Sequence, residues 1–130
     1  MTSTPLVTYQ LDDGIAILTM DDGKANVMSA AMLAALNAAL DRAANDRAVV
    51  VLSGRERMFS GGYDLAMFQR SPEEATRTIK TGGAFVDRLF SFPLPVVAAC
   101  TGHAVAQGAF TLLACDVRIA ANGPFKIGLN

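Results

Sequence analysis

The sequence predicts an α/β fold with a mostly parallel sheet, and three features carry that expectation. Leu6 to Leu11 and Ile15 to Met20 flank the turn signal Asp12-Asp13-Gly14 and read as a hairpin. Short apolar runs recur at Ala48 to Ser53, Val96 to Cys100 and Val117 to Ala121. Segments with helical spacing separate them, so strands and helices alternate through right-handed crossovers.

Each element has its own signal. After the hairpin comes the loop Asp21-Asp22-Gly23-Lys24-Ala25-Asn26. Ser29 is placed to cap a helix in which Met32, Leu33, Leu36 and Leu40 recur at helical spacing, with Asn45-Asp46 as its stop. The valines of Ala48 to Ser53 indicate a buried strand. A charged loop containing Arg55-Glu56-Arg57 then leads to Phe59-Ser60-Gly61-Gly62-Tyr63-Asp64-Leu65, and the short apolar segment Leu65 to Phe68 follows. Ser71-Pro72-Glu73-Glu74 opens the next helix with a serine cap, a first-position proline and a glutamate at the third. Ile79, Val86, Leu89 and Phe90 give its apolar side, and Gly82-Gly83 predicts a bend midway. Phe92-Pro93-Leu94-Pro95 ends it. Beyond Val96 to Cys100 lies a second glycine loop, Thr101 to Gly108. Ala109 to Ala114 is a nearly all-apolar helix and is expected to be buried. After Val117 to Ala121, Asn122-Gly123-Pro124 turns into Phe125-Lys126-Ile127.

Composition narrows the function classes. A formal charge of −1 leaves no electrostatic footprint for nucleic acid or an anionic membrane. No apolar run approaches the ~18 residues that a membrane span needs. Met1 to Pro5 has neither the basic nor the apolar segment of a signal peptide, so a cytoplasmic location is expected. Cys100 and Cys115 form no CxxC pattern and read as reduced core thiols rather than a disulfide or a nucleophile. No metal-ligand spacing or Ser-His-Asp grouping is visible. The chain stops at Gly128-Leu129-Asn130 on a strand exit with no helix stop or polar tail, which suggests the N-terminal portion of a longer protein or a domain that borrows structure from neighbours.

The two glycine loops carry the chemistry. A strand, a glycine loop and a helix start can present main-chain N–H groups to a ligand, because no Cβ intervenes. A plain connector is the competing reading of the first loop alone. Two such loops can aim two N–H groups at one point, which suits an oxygen that gains negative charge, such as a thioester carbonyl becoming an enolate. The candidate donors are the N–H groups of Tyr63 and Gln107, and the second helix adds its positive dipole end.

Four stretches then resemble one family. Phe59 to Leu65 resembles the F-S/A-A/G-G-x-D-L signature of the crotonase (enoyl-CoA hydratase/isomerase) superfamily. Lys24-Ala25-Asn26-Val27-Met28 is similar to its K-x-N-x-(L/M) loop. Pro95 to Ala104 resembles P-V-I-A-A-V-x-G-x-A, and Cys115 to Ala120 resembles C-D-x-R-I-A. The resemblance runs from about Val7 to Asn130. It implies a crotonase-like spiral of ββα units, with residues 1–130 as the N-terminal part of one such domain. It also implies homotrimers or hexamers and acyl-CoA thioester substrates, with coenzyme A as part of the substrate and no separate cofactor. Carried over by position, Tyr63 and Gln107 supply the oxyanion-hole amides. Lys24, Ala25, Val27, Ser60, Gly62, Tyr63, Asp64, Leu65, Ala106, Gln107 and Phe110 fall where the family holds substrate.

Departures from the pattern select among reactions. Hydratases of the family carry two glutamates, and the first would stand at Phe110. Phenylalanine moves no proton, so hydration by two carboxylates is not encoded. Gln107 replaces the usual oxyanion glycine and is expected to narrow the pocket, and Ala66 replaces a family lysine. Ile127-Gly128-Leu129-Asn130 resembles the I-G-L-N-E of monofunctional Δ3,Δ2-enoyl-CoA isomerases, whose single catalytic glutamate would follow Asn130. An isomerase is therefore expected over a hydratase, with a non-catalytic acyl-CoA-binding or assembly module as the reading of another class. Other polar residues read as structural: Asp64 as a helix cap, Asp116 and Arg118 as a pair, and His103 as a packed or hydrogen-bonded group.

Overall fold

The structure, a computed structural model, describes residues 4–129. Residues 1–3 and 130 lie outside the described residues, and with them part of the N-terminal reading and the last position of the I-G-L-N stretch. β1 (Val7–Asp12) and β2 (Ile15–Met20) form the expected antiparallel hairpin. There follow α1 (Ala30–Asn45), β3 (Val49–Ser53), β4 (Arg57–Ser60), α2 (Leu65–Arg70), α3 (Pro72–Phe90), β5 (Val96–Cys100), β6 (Gly102–Val105), α4 (Gln107–Ala114), β7 (Val117–Ala120) and β8 (Ile127–Gly128).

The strands form two sheets. One runs β1-β2-β3-β5-β7 and is parallel from β2 onward; the other is β4-β6-β8 and wholly parallel. Each strand pair, β3–β4, β5–β6 and β7–β8, therefore gives one strand to each sheet, so the chain coils forward in ββα turns. This is the ββα coil that the family resemblance implies, whereas the run of apolar strands by itself pointed to one sheet. The strands of the second sheet hold four residues or fewer, and the glycines that read as loop markers lie within or beside it.

The core lies between the larger sheet and the helices. Leu18, Met20, Val50, Leu52, Val96 and Ala98 meet Met32, Leu33, Leu36 and Leu40 of α1 and Phe85 and Leu89 of α3, all buried. Each large side chain contributes about 1.5–3 kcal/mol of transfer free energy. The Ser29 hydroxyl accepts from the Met32 N–H at 3.0 Å and the Ser71 hydroxyl from Glu74 at 3.2 Å, so both predicted caps form. Cys100 and Cys115 are free, buried thiols. Burial, with Asp116 adding to it, pushes the Cys115 thiol up to about 12.

Several expectations need correction. α3 runs unbroken through Gly82-Gly83, and its buried side is Ala75, Thr78, Gly82, Phe85 and Leu89; Ile79 and Phe90 are exposed. Gly82 serves close packing rather than a bend: a Cβ there would overlap the Tyr63 hydroxyl. α4 is not buried all round. It packs on α3, β4 and β6 through one face and leaves Phe110 and Leu113 exposed. Asp116 and Arg118 bind main chain rather than each other. The Asp116 carboxylate accepts from Val96 N–H at 2.7 Å, and Arg118 donates to the carbonyls of Leu112 and Cys115. His103 is packed and bonded as expected: its Nδ1 accepts from Lys126 N–H at 2.9 Å, and its ring meets Phe125 edge-on. Among the described residues, no helix is long and apolar enough to cross a membrane.

Candidate functional site

Three chain segments meet where β2, β4 and β6 end. The first is the Asp22–Met28 loop, which wraps around one carboxylate. Asp22 accepts from the N–H groups of Lys24, Asn26 and Val27 at 2.7, 2.9 and 3.0 Å. The second is the glycine loop after β4. Gly61 N–H donates to Ala25 O at 2.8 Å and Met28 N–H donates to Gly62 O at 2.7 Å, so the loops are laced as a short parallel bridge at Val27 and Gly62. The Ser60 hydroxyl donates to Asn26 O at 2.8 Å and accepts from Gly62 N–H at 3.2 Å.

The third segment is the start of α4, and it presses against Gly62. Gly62 has φ +89°, and a Cβ there would stand 2.9 Å from Val105 O, 3.1 Å from Ala106 Cβ and 3.4 Å from Gln107 N. Only glycine meets both the angle and the clearance. The Gly62–Tyr63 link therefore lies beside Ala106–Gln107. Among the described residues, neither the Tyr63 N–H nor the Gln107 N–H finds an acceptor, and neither is used in sheet pairing. Gln107 is the first residue of α4, so its N–H belongs to the positive end of that helix.

A hollow of about 380 Å³ opens here, lined by Gly61, Tyr63, Leu65, Phe68, Val105, Ala106 and Leu129. None of these carries a charge at neutral pH. Two free donors in such surroundings can hold an oxygen that becomes negative, because low local polarity strengthens each hydrogen bond. Among the described residues, no cluster of three His, Cys, Asp or Glu side chains could hold a metal ion.

The predicted site residues divide into four groups. Ala25, Val27, Ser60, Gly62, Tyr63, Ala106 and Gln107 come together as described. Leu65 stands at the hollow's rim with its side chain exposed, and Asp64 beside it caps α2, its carboxylate accepting from Ala66 N–H at 3.1 Å. Lys24 contributes main chain to the loop while its residue is exposed, and its carbonyl accepts from Arg55 at 2.6 Å. Phe110 lies apart, one helical turn along α4, where it lines a different hollow with Gly83, Val86, Asp87, Phe90, Leu113 and Ala114. The Gln107 side chain does not narrow the pocket as expected. It is buried and its Nε2 donates to Gly82 O at 2.9 Å.

Two residues that the family resemblance placed in this region have backbone roles that no local pattern announced. Asn26 is wholly buried at φ +50° and ties the loops together; asparagine's tolerance of left-handed backbone was the available hint. Ala106 caps α4 at φ +53°, ψ −116°, which an L residue rarely adopts, and alanine announces nothing of the kind. That strain costs about 1–3 kcal/mol, against a gain in unfolded-chain freedom of about 0.4–1 kcal/mol for a glycine. Ala106→Gly is therefore expected to stabilise the fold by about 1 kcal/mol in urea unfolding. A loss of stability would mean that the methyl packs well enough to outweigh its backbone.

Known proteins fit this geometry. The profile of the enoyl-CoA hydratase/isomerase family matches residues 10–130. A probable enoyl-CoA hydratase of Bacillus subtilis is 32% identical over 127 residues, which cover 95% of this chain and 49% of that protein. The human mitochondrial enoyl-CoA delta isomerase 1 is 34% identical over 130 residues, covering 96% of this chain and 43% of that one. The crystal structure of an enoyl-CoA hydratase/isomerase family protein from Pseudomonas syringae superposes with a TM-score of 0.94 at 50% identity, over 96% of this chain and 54% of that chain. The chain thus spans about half the length of the curated relatives it matches. Sequence motifs, ββα coil and loop geometry agree, and the chain belongs to the enoyl-CoA hydratase/isomerase family.

Proposed function

We propose that this chain supplies the thioester-binding part of an enoyl-CoA isomerase. The observation that carries the reading is the pair of adjacent, unclaimed N–H groups at Tyr63 and Gln107. They would hold the thioester oxygen as a proton leaves C2, and they favour the dienolate over the ground state because the charge appears only on reaction. A single carboxylate would take the C2 proton and return it at C4. The described lining of the hollow contains none, so the carrier must reach the site from elsewhere. Leu129 lines the hollow, so a carboxylate just after Asn130 would be well placed. Addition of water needs a second group to activate it, and the described lining offers no carboxylate for that task, which favours a shift of the double bond. Lys24, Ala25, Val27, Asp64 and Leu65 would border the coenzyme A and acyl groups.

The test uses the full natural protein with a 3-enoyl-CoA and, separately, a 2-enoyl-CoA, and identifies products by mass. The expected product is the 2-enoyl isomer of unchanged mass, with little or no water adduct. A water adduct as the main product would make the protein a hydratase. Binding with no turnover of either substrate would leave an acyl-CoA-binding module.

A further inference from the structure

Resting on that reading, we propose that the Ile79–Gly82 turn of α3 is a positioning element for both oxyanion amides. The two residues with free N–H groups send their side chains to this one turn. Gln107 is 5% exposed, and its Nε2 donates to Gly82 O at 2.9 Å. The Tyr63 ring lies against Gly82, where a Cβ would overlap the hydroxyl and stand 3.0 Å from Cζ. That hydroxyl also donates to Ile79 O at 3.4 Å, a long bond that adds direction more than strength.

The contact belongs to position 82. A Cβ at neighbouring Gly83 would meet nothing within 4 Å. The Gln107–Gly82 bond is buried, so nothing in solvent replaces it cheaply. α3 thereby acts as a common rest. It fixes Tyr63 through an aromatic ring and Gln107 through an amide, and the separation of their main-chain N–H groups follows from that grip. This also gives a glutamine at position 107 a role, since its side chain points away from the hollow and into α3.

The experiment compares Gly82→Ala, Tyr63→Phe and the double variant in the full natural protein, by steady-state turnover of a 3-enoyl-CoA and by crystal structures. Gly82→Ala is expected to lower kcat by ~10²-fold, the scale of a displacement near 1 Å, with KM changed less than threefold. Tyr63→Phe alone is expected to cost a few-fold. In the double variant the overlapping hydroxyl is gone, and kcat is expected to recover at least tenfold over Gly82→Ala. The structure of Gly82→Ala should show the Tyr63 N to Gln107 N separation altered by about 0.5 Å or more, and the double variant should restore it.

An unchanged separation in Gly82→Ala overturns the proposal whatever the reaction proves to be. A double variant no faster than Gly82→Ala overturns it as well. If the unaltered protein shows no isomerisation, the functional reading fails, and the crystal structures alone decide whether α3 sets the spacing. Should Gly82→Ala not fold, Gln107→Met takes its place, because it removes the bond to Gly82 O while keeping the bulk. It is expected to lower kcat at least tenfold per acyl-CoA-binding site, and an unchanged kcat overturns the proposal.

Discussion

On the proposed isomerase function, Gly108→Ala is expected to cut turnover of a 3-enoyl-CoA by ~10²–10³-fold, the effect of losing one oxyanion donor. Two effects oppose each other at this position. Helix propensity favours alanine by about 1 kcal/mol. Sterics oppose it: a Cβ on Gly108 would overlap the Ser60 carbonyl oxygen and stand 3.0 Å from Ser60 Cβ. Main chain at the end of a paired strand cannot turn aside as a flexible side chain can, and overpacking of this kind costs about 1–3 kcal/mol. The steric term wins, and the strain must be relieved by parting α4 from the glycine loop. Ser60 is the wrong atom group to move. Its hydroxyl holds Gly62 N–H and Asn26 O together, so a shift passes directly to Tyr63. Measurement of kcat/KM on the full natural protein checks this. Turnover within threefold of the unaltered protein would show that the loop spacing does not set the rate.

Much of the fold was legible where periodicity and caps agree. Ser29 with Met32, Leu33, Leu36 and Leu40 specified α1, and Ser71-Pro72 specified the start of α3. The hairpin and the valine strands were equally plain. The second sheet was implied by the ββα units of the resembled family and not by periodicity, because β4 and β6 are too short for a pattern. Gly102, which reads as a loop glycine, in fact sits inside β6 where a Cβ would overlap the Arg57 main chain. Glycine marks both turns and close approaches, and a sequence cannot say which. Exposed Phe90, Phe110 and Leu113 show the companion limit. Apolar content fixes how much surface a helix would bury, while the packing partner decides which face. At the site, motif order located both loops. The direction of the Gln107 side chain and the strain at Ala106 depend on neighbours far away in the chain, and no local pattern carries them.

Asn26→Ala is expected to destabilise the fold by about 3–4 kcal/mol in urea unfolding, a large part of a typical 5–15 kcal/mol. Asn26 is wholly buried between the two sheets. Its Nδ2 donates to Met20 O of β2 at 2.9 Å and to Phe59 O of β4 at 3.2 Å, while its Oδ1 accepts from Asp22 N–H at 2.9 Å. Alanine would leave these groups without partners, and each buried orphan costs about 1–3 kcal/mol. Relaxation and water entry reduce the sum, so the expectation lies well below three full penalties. Backbone adds to it, since φ is +50° and alanine lacks asparagine's tolerance there. Asn26→Gly separates the two parts: it loses the same hydrogen bonds but keeps the angle, and should be about 1 kcal/mol milder than alanine. Asn26→Asp keeps the size and the acceptor but loses the donor, and it sets a carboxylate beside two carbonyl oxygens. It should therefore be at least as harmful as alanine, unless the acid is protonated, in which case lowering the pH should partly rescue it. A cost below 1 kcal/mol for Asn26→Ala would mean that the Asp22 turn alone holds the first loop. The two sheets would then be aligned by strand packing rather than by this one side chain.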